Sequence, residues 1–316
     1  MNKKISILLP VLNESGNIGK IVSLLTDIFL QLPQYDFEII FVDDGSSDST
    51  LNEIISVSVI TPNVFYISFS RNFGKDSALL AGLKLCNGDA VITMDADLQH
   101  PPAMIIKLIQ EWENGFEIVY CYRAEKNRNR GVVSQLSSYV FYKIVNLLSE
   151  IKLENGLSDF RLMNKKALDA LLLIPENNPF LRGLVKWIGF KQLGIPYTPE
   201  TRNAGHSSYN MKSLMRLASH GITSFSTKPL TLAIYLGFLF SFTSILYIPY
   251  AIISKLLGYA VSGWASVIVT IAFFGGINLL IMGIIGIYLG KTFMQGKQRP
   301  HYIISDTNLP VKIISA

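Results

Sequence analysis

The chain has 316 residues, of which 49% are hydrophobic and only 16% are charged, and its formal net charge is +5. A soluble domain carries roughly 25% charged residues, so this composition excludes a protein that is surrounded by water along its whole length. The modest positive charge forms no basic stripe with interleaved aromatic residues, which argues against nucleic-acid binding. Cys86 and Cys121 lie in apolar segments and are predicted to be buried thiols.

Residues 1–125 alternate between short apolar runs and segments with helical periodicity. Strands are predicted at residues 5–9, 37–42, 64–69, 90–94 and 118–121. Helices are predicted between them, at residues 18–32, 51–57, 77–85 and 102–112. This alternation predicts an α/β fold with a doubly wound, mostly parallel sheet. Such sheets bind their ligands beyond the carboxyl ends of the strands.

The strongest polar pattern, D-A-D-L-Q at residues 95–99, follows the fourth predicted strand. Carboxylates at positions i and i+2 of an extended segment project to the same side, so Asp95 and Asp97 can share one cation. Mg²⁺ and Mn²⁺ prefer oxygen ligands and commonly bind substrate phosphates as well. With the amide oxygen of Gln99, the pattern predicts a metal site that neutralises the charge on a departing nucleoside diphosphate.

Asp43 and Asp44 end the second predicted strand and are followed by a turn sequence. The turn alone needs a helix cap, which Ser47 or Asp48 could supply. It does not need two acids, and we therefore expect at least one of them to bind a base or a ribose. The chain contains neither G-x-G-x-x-G nor G-x-x-x-x-G-K-[ST], which argues against a dinucleotide site or a P-loop.

Four motifs occur in order along the chain: P-V-L-N-E at 10–14, V-D-D-G-S at 42–46, N-F-G-K at 72–75 and M-D-A-D-L-Q-H-P-P at 94–102. Together they resemble glycosyltransferase family 2, and most of all its branch that makes polyprenyl-phosphate sugars. D-F-R-L-M at 159–163, G-I-T-S-F-S at 221–226 and the apolar tail look like the bactoprenol glucosyltransferases of that branch. The resemblance extends to about residue 304.

The resemblance implies a GT-A fold and an inverting transfer of a sugar from a UDP-sugar to undecaprenyl (polyprenyl) phosphate. The best candidate donor is UDP-glucose, and the product would serve the modification of lipopolysaccharide or cell-wall glycan. The resemblance implies Mg²⁺ or Mn²⁺ as cofactor, held by Asp95, Asp97 and Gln99. It implies nucleotide-sugar contacts from Pro10, Leu12, Glu14, Asp43, Asp44, Asp95, Ala96 and Arg123. It implies contacts to the acceptor phosphate from Arg128, Arg130, Ser134 and Arg202.

Two features depart from the family pattern or leave it ambiguous. Members often carry Ser-Lys after the glycine that corresponds to Gly205, whereas this chain has His206-Ser207-Ser208. One phosphate contact is therefore missing or is made by His206. The basic residues before the helix at Val132 lie in a short loop, so either Arg128 or Arg130 can take the phosphate-binding position.

The predicted catalytic residues are Asp97 and Asp159, and the role of Asp159 has two readings. A lipid phosphate is largely ionised near pH 7 because its second pKa is about 6, so its oxygen can attack the anomeric carbon with little help from a base. Asp159 is then either a base or a residue that orients the sugar. A purely structural alternative is that it pairs with Arg161 or caps a turn.

The C-terminal part predicts two transmembrane helices at residues 229–254 and 264–290. Lys255 is the only charged residue between Lys228 and Lys291, and each span exceeds the roughly 20 residues that cross a bilayer. We expect a catalytic domain at residues 1–210, an amphipathic juxtamembrane helix at 211–228 and a tail at 291–316. Basic residues flank the outer ends of the spans, which places both termini and the catalytic domain in the cytoplasm of a multi-pass inner (plasma) membrane protein.

Two other functions stay open at this point. One is transfer of a sugar 1-phosphate to the lipid phosphate, with release of UMP. The other is a non-catalytic scaffold or flippase subunit, which the intact metal motif and the presence of only two spans disfavour. The identity of the sugar and the oligomeric state, including a homo-oligomer, are also open.

Overall fold

The computed structural model describes residues 2–123, 157–176, 179–199, 222–258 and 263–310. These residues fall into two compact units. One unit contains the described residues up to 199 together with those from 299 onward, and the other contains residues 222–298. The chain therefore leaves the first unit and later returns to it.

The first unit is built on one sheet. Its strands are β1 (Lys3–Val11), β2 (Tyr35–Asp43), β3 (Val64–Phe69), β4 (Ala90–Thr93), β5 (Ile118–Arg123), β6 (Leu157–Asn164), β7 (Gln192–Tyr197) and β8 (Ile304–Thr307). Their order across the sheet is β7-β5-β6-β4-β1-β2-β3-β8. β6 and β8 run antiparallel to their neighbours, and the other pairings are parallel. The predicted α/β fold with a mostly parallel, GT-A-like sheet is confirmed.

Helices connect the strands and cover both faces of the sheet. They are α1 (Ile18–Leu30), α2 (Thr50–Ile60), α3 (Lys75–Leu85), α4 (Met104–Glu113), α5 (Lys165–Leu172) and α6 (Leu181–Trp187). The strands and helices predicted for residues 1–125 are all present. Five elements were not predicted from the sequence: β6, β7, β8, α5 and α6.

The core explains why the first strands are mostly apolar. Residues 5–9 of β1 are buried without alternation, as expected for a parallel strand that is covered on both faces. A Cβ atom at Gly82 of α3 would lie 2.0 Å from Leu8 Cδ1, so the glycine lets the helix approach β1 closely. Cys86 and Cys121 are buried free thiols, as predicted, and burial raises the pKa of each to about 12.

The second unit contains two long helices, α7 (Lys228–Leu256) and α8 (Trp264–Gly296). Among the described residues, one stretch, Phe273–Gly296, is both long and apolar enough to cross a membrane, and Lys228–Thr243 is a shorter apolar stretch. The two helices begin within one residue of the starts of the predicted spans, and their crossing of a membrane as two spans stays a prediction. Most of the predicted juxtamembrane helix lies outside the described residues. The predicted tail contains the strand β8, which pairs with β3.

Candidate active site

The predicted site residues lie at or just after the carboxyl ends of four strands, β1, β2, β4 and β5. The strand order reverses at β1, because β2 and β3 continue on one side of it and β4 lies on the other. Open α/β sheets bind their ligands outside the carboxyl ends of the strands at such a switch point. The backbone pairing of β4 with β1 continues one residue past the end of β4, since Met94 N donates to Leu8 O (3.0 Å).

A buried histidine holds the loop that carries the acidic motif. His100 Nδ1 accepts a hydrogen bond from Asp95 N (2.9 Å) and its Nε2 lies 2.9 Å from Ser158 Oγ. Because Nδ1 accepts, the proton of the neutral ring sits on Nε2, which donates to Ser158. The ring stacks on Phe160 with centroids 4.9 Å apart. Burial lowers the pKa of His100, which agrees with a neutral ring that anchors β4 to β6.

The remaining polar groups of the motif are also engaged by protein donors. Asp97 Oδ1 accepts from Gln99 N (3.1 Å), a local turn contact. Gln99 Oε1 accepts from Arg123 Nη2 (3.1 Å), and Arg123 Nε lies 3.3 Å from Tyr197 Oη. Leu98, between Asp97 and Gln99, has φ 62°, a backbone conformation that costs energy in a residue with a side chain. The structure therefore links Asp97, Gln99 and Arg123 by hydrogen bonds. The predicted roles of these residues and of Asp95 in binding the metal and the donor stay predictions.

Asp159 is the most strongly bound carboxylate of the site. Its side chain is only 6% exposed, and Arg182 of α6 grips both oxygens, from Nε to Oδ1 (2.8 Å) and from Nη2 to Oδ2 (2.7 Å). Arg161 Nη2 lies 3.2 Å from Oδ1. Burial alone raises the pKa of a carboxyl, but Lys75 and Arg182 outweigh it and hold the pKa of Asp159 well below its usual range. The surrounding cations therefore favour the ionised form of Asp159.

Lys75 connects Asp159 to the acidic motif. Its Nζ lies 2.5 Å from Asp95 Oδ1 and 2.9 Å from Asp159 Oδ2. Burial lowers the pKa of a lysine, but the carboxylates of Asp159 and Asp95 outweigh this effect and raise the pKa of Lys75. Burial likewise raises the pKa of Asp95, and the charge of Lys75 outweighs it, so that the pKa of Asp95 is lowered. Lys75 thus forms ion pairs with two carboxylates at once.

The two acids at the end of β2 are enclosed by protein. Asp43 Oδ2 accepts from Ser68 Oγ (2.9 Å) and its Oδ1 accepts from Ser46 N (3.1 Å). Asp44 accepts from two amides, Phe73 N (2.6 Å) and Gly74 N (2.9 Å), and burial raises its pKa. Both side chains are buried, with exposures of 1% and 3%. Their predicted contact with the nucleotide stays a prediction.

The loop after β1 lies at the same carboxyl-terminal end of the sheet as the two acids of β2. Glu14 N donates to Thr50 Oγ1 (2.9 Å), and Glu14 Oε2 accepts from Asn17 Nδ2 (2.8 Å). These contacts tie the loop to the first turns of α1 and α2. Leu12 is 40% exposed and Pro10 is partly exposed, so both present apolar surface near the strand end. Ala96 is buried.

The donor atoms fit a hard divalent cation in chemical type. Asp95 and Asp97 supply carboxylates, and Gln99 supplies an amide oxygen, which are the ligands that Mg²⁺ and Mn²⁺ prefer. In the described part of the chain, no three histidine, cysteine, aspartate or glutamate side chains converge on one point. A cation here would therefore depend on two carboxylates, the amide oxygen and ligand oxygens, and Asp95 would have to exchange or share its contact with Lys75.

Four predicted acceptor-binding residues lie outside the described residues. They are Arg128, Arg130, Ser134 and Arg202. Their assignment to the acceptor phosphate stays a prediction, as does the replacement of a lysine by His206.

Comparison with known proteins places this site in a family. The profile described as Glycosyl transferase family 2 matches residues 6–172. The bactoprenol glucosyl transferase of Shigella phage SfV is 39% identical over 304 residues, which cover 96% of this chain and 98% of that protein. The chain belongs to glycosyltransferase family 2.

Further relatives agree with this assignment. The prophage bactoprenol glucosyl transferase homolog of Escherichia coli K12 is 38% identical over 302 residues, covering 95% of this chain and 98% of that protein. Among solved structures, the mannosyltransferase PcManGT from Pyrobaculum calidifontis, in complex with GDP-Man and Mn²⁺, aligns with 94% of this chain and 88% of that one at 12% identity and a TM-score of 0.49. The family match and the two bactoprenol relatives show that the protein is a glycosyltransferase.

Three residues of the glycosyltransferase site were not assigned a role from the sequence: Lys75, His100 and Arg182. Lys75 and His100 lie inside the motifs N-F-G-K and D-A-D-L-Q-H-P-P, so their position in those motifs was a usable signal. Arg182 had no such signal, because it lies 23 residues after Asp159 on a short helix. Only the folded chain shows that it binds Asp159.

Proposed function

We propose that this glycosyltransferase transfers a hexose, with glucose as the best candidate, from a UDP-sugar to polyprenyl phosphate with inversion at the anomeric carbon. The observation that carries the proposal is the charge pattern at the carboxyl ends of β1 and β4. Asp95 and Asp97 are partly exposed there, between the cations Lys75 and Arg123. Such a site binds an anionic donor together with a metal. The relatives named bactoprenol glucosyl transferase support a polyprenyl phosphate acceptor.

The residues of the site would stabilise the leaving diphosphate and hold the two substrates in position. Asp95, Asp97 and Gln99 would hold Mg²⁺ or Mn²⁺, which stabilises the diphosphate as it leaves. Arg123, already oriented by Gln99 and Tyr197, can donate to diphosphate oxygens with its planar fork. The larger task of the protein is to hold two anions together in line with the anomeric carbon.

Asp159 acts in this proposal as a positioning group and not as a proton acceptor. A base must take up a proton near the working pH, whereas the cations around Asp159 hold its pKa well below its usual range. The nucleophile does not need a base either, because a phosphate monoester with a second pKa of about 6 is already ionised at pH 7. Asp159 instead fixes Lys75, Arg161 and Arg182 at the end of β4.

The return of the chain to the sheet supports two membrane crossings. β8 pairs with β3 within the first unit, although α7 and α8 lie between them in sequence. A single crossing would place β8 and β3 on opposite sides of the bilayer, whereas two crossings return the chain to the same side. The basic flanks Lys228 and Lys291 then favour the cytoplasmic side for the sheet unit.

The activity is tested with full-length protein in detergent or nanodiscs, polyprenyl phosphate and a panel of UDP-sugars, including UDP-glucose and UDP-N-acetylglucosamine. We expect one UDP-sugar to be consumed only when lipid phosphate and Mg²⁺ or Mn²⁺ are both present, with loss of turnover in a chelator. Lack of any lipid-linked product with all donors would refute the proposal and favour a non-catalytic role.

The topology is tested separately with reporters fused after residue 310. A reporter that is active only in the cytoplasm should be active, and one that needs export should be silent. The opposite pattern would contradict the cytoplasmic orientation proposed for the sheet unit.

A further inference from the structure

We propose that Lys75 couples donor binding to acceptor binding. Its ammonium pairs with Asp95 while the donor site is empty, and it turns to the acceptor phosphate once Asp95 is engaged by the donor and its cation. This inference rests on the proposed function and adds an acceptor-phosphate contact to the four arginine and serine residues that the family resemblance implies.

Lys75 is the more solvent-exposed member of its ion pair with Asp159. The Lys75 side chain is 42% exposed, whereas that of Asp159 beneath it is 6% exposed. A lysine ammonium carries three protons, and the contacts with Asp95 and Asp159 account for two. Lys75 is thus a compact cation at the solvent-accessible surface of the buried charge cluster, where an incoming phosphate oxygen can meet it.

The two carboxylates depend on Lys75 to different degrees. Asp159 keeps a bidentate partner in Arg182 and a further contact with Arg161 if Lys75 moves. Asp95 has no comparable cation in the described part of the chain, since His100 Nε2 lies 3.9 Å from it and is in contact with Ser158 Oγ instead. When another cation takes over Asp95, Lys75 loses its closer anionic partner, and a second anion becomes its best replacement.

The backbone links Lys75 to the predicted nucleotide end of the site. Lys75 begins α3 directly after Phe73 and Gly74, whose amides both donate to Asp44. Gly74 has φ 97°, a conformation that glycine adopts readily and other residues avoid. A nucleotide bound beside this segment would therefore act on the backbone that positions Lys75, which would give donor binding a second route to the same side chain.

The test measures binding, not turnover. Full-length protein in nanodiscs is titrated calorimetrically with farnesyl phosphate, in the absence and in the presence of saturating UDP and Mn²⁺. We expect UDP and Mn²⁺ to tighten farnesyl phosphate binding about tenfold, which corresponds to one coupled contact. Lys75→Met should bind farnesyl phosphate equally in both conditions, and Lys75→Arg should keep part of the difference.

Two controls separate this role from a structural one. Lys84→Met removes an exposed lysine from the same helix and should leave the tenfold difference intact. Lys75→Met should bind UDP with Mn²⁺ at least as tightly as the wild type, because a competitor for Asp95 has been removed, whereas a collapsed site would bind it more weakly. If Lys75→Met does not fold, Lys75→Gln takes its place in the same comparison.

Two results would overturn the inference: a wild-type protein that binds farnesyl phosphate equally with and without UDP and Mn²⁺, or a Lys75→Met variant that keeps the tenfold difference. Neither outcome touches the proposed function, provided that the wild-type enzyme still makes a lipid-linked sugar. Failure of the product assay with an intact binding difference would instead refute the proposed reaction alone.

Discussion

Arg182 donates from Nε and Nη2 of its guanidinium to the two carboxylate oxygens of Asp159, at 2.8 Å and 2.7 Å. The two residues come from α6 and β6, and the pair ties the short helix to the end of the strand beside the acidic motif. Because the Asp159 side chain is almost fully buried, its charge depends on such partners. The first prediction concerns this pair.

Arg182→Met should lower kcat about 10²-fold and destabilise the fold by about 3 kcal/mol, because it removes the bidentate partner of a buried carboxylate. Arg182→Lys should recover only part of the activity, since an ammonium cannot bind both oxygens as a guanidinium does. Steady-state kinetics and thermal unfolding measure both effects. Lys165→Met, which breaks the exposed pair with Asp169, is the control and should cost less than about 1 kcal/mol. Equal effects of Arg182→Met and Lys165→Met would contradict the assignment.

Asp97→Asn should abolish turnover and leave the protein folded. The change removes a negative ligand from the proposed cation site, and the half-buried position of Asp97 makes no large demand on folding. Transfer assays and the unfolding temperature are compared with those of Asp27→Asn, which alters an exposed aspartate on α1. Near-normal turnover in Asp97→Asn would refute the metal assignment.

His100→Ala should lower both stability and activity, because Asp95 N and Ser158 Oγ lose their partner and Phe160 loses its stacked ring. We expect His100→Ala to lower the free energy of unfolding by about 2–4 kcal/mol. His100→Asn, whose Oδ1 can accept from Asp95 N, should recover part of it. The pKa of His100 in the folded protein lies below its value of about 6.5 in the unfolded chain. The contribution of neutral His100 to the free energy of unfolding is therefore complete above pH 6.5 and is lost as the pH falls. A His100→Asn variant with an unchanged pH–stability curve would contradict this role.

Asp76 predicts a pH dependence of the opposite sign. Burial, and then the charge of Asp159, raise the pKa of Asp76 from 3.8 to about 6. The folded protein therefore holds this proton more tightly than the unfolded chain, and a stability penalty develops as the pH rises from about 4 to 6. Asp76→Asn should raise the unfolding temperature at pH 8 and leave it almost unchanged at pH 4. A variant that is less stable than the wild type at pH 8 would contradict the shift.

The sequence alone predicted the five strands that are mostly apolar. β1 to β5 have that signature because helices cover them on both faces. β6 lacks it, since Asp159 and Arg161 interrupt its apolar residues, and β8 is the polar segment I-S-D-T. β8 is recognised only through its pairing with β3 and through contacts such as Asn308 Oδ1 with Tyr66 N (2.8 Å).

The candidate site divides in the same way. Residues within contiguous motifs, such as Asp95, Asp97 and Gln99, were predictable because strand ends and local spacing bring them together. The partners of Asp159 were only partly predictable. Arg161 was considered as a local ion-pair partner, whereas Lys75 and Arg182 come from distant parts of the chain and meet it only through the packing of α3 and α6. The spacing of residues within a motif does not predict such pairs, because their members are far apart in the sequence.

The most direct test of the central claim is the mass of the lipid product together with the identity of the released nucleotide. Purified full-length enzyme is incubated with UDP-glucose and undecaprenyl phosphate, and both products are read by mass spectrometry. The proposed reaction predicts a lipid monophosphate that carries one hexose, and release of UDP. A lipid diphosphate that carries the hexose, with release of UMP, would contradict the claim and show transfer of a sugar 1-phosphate.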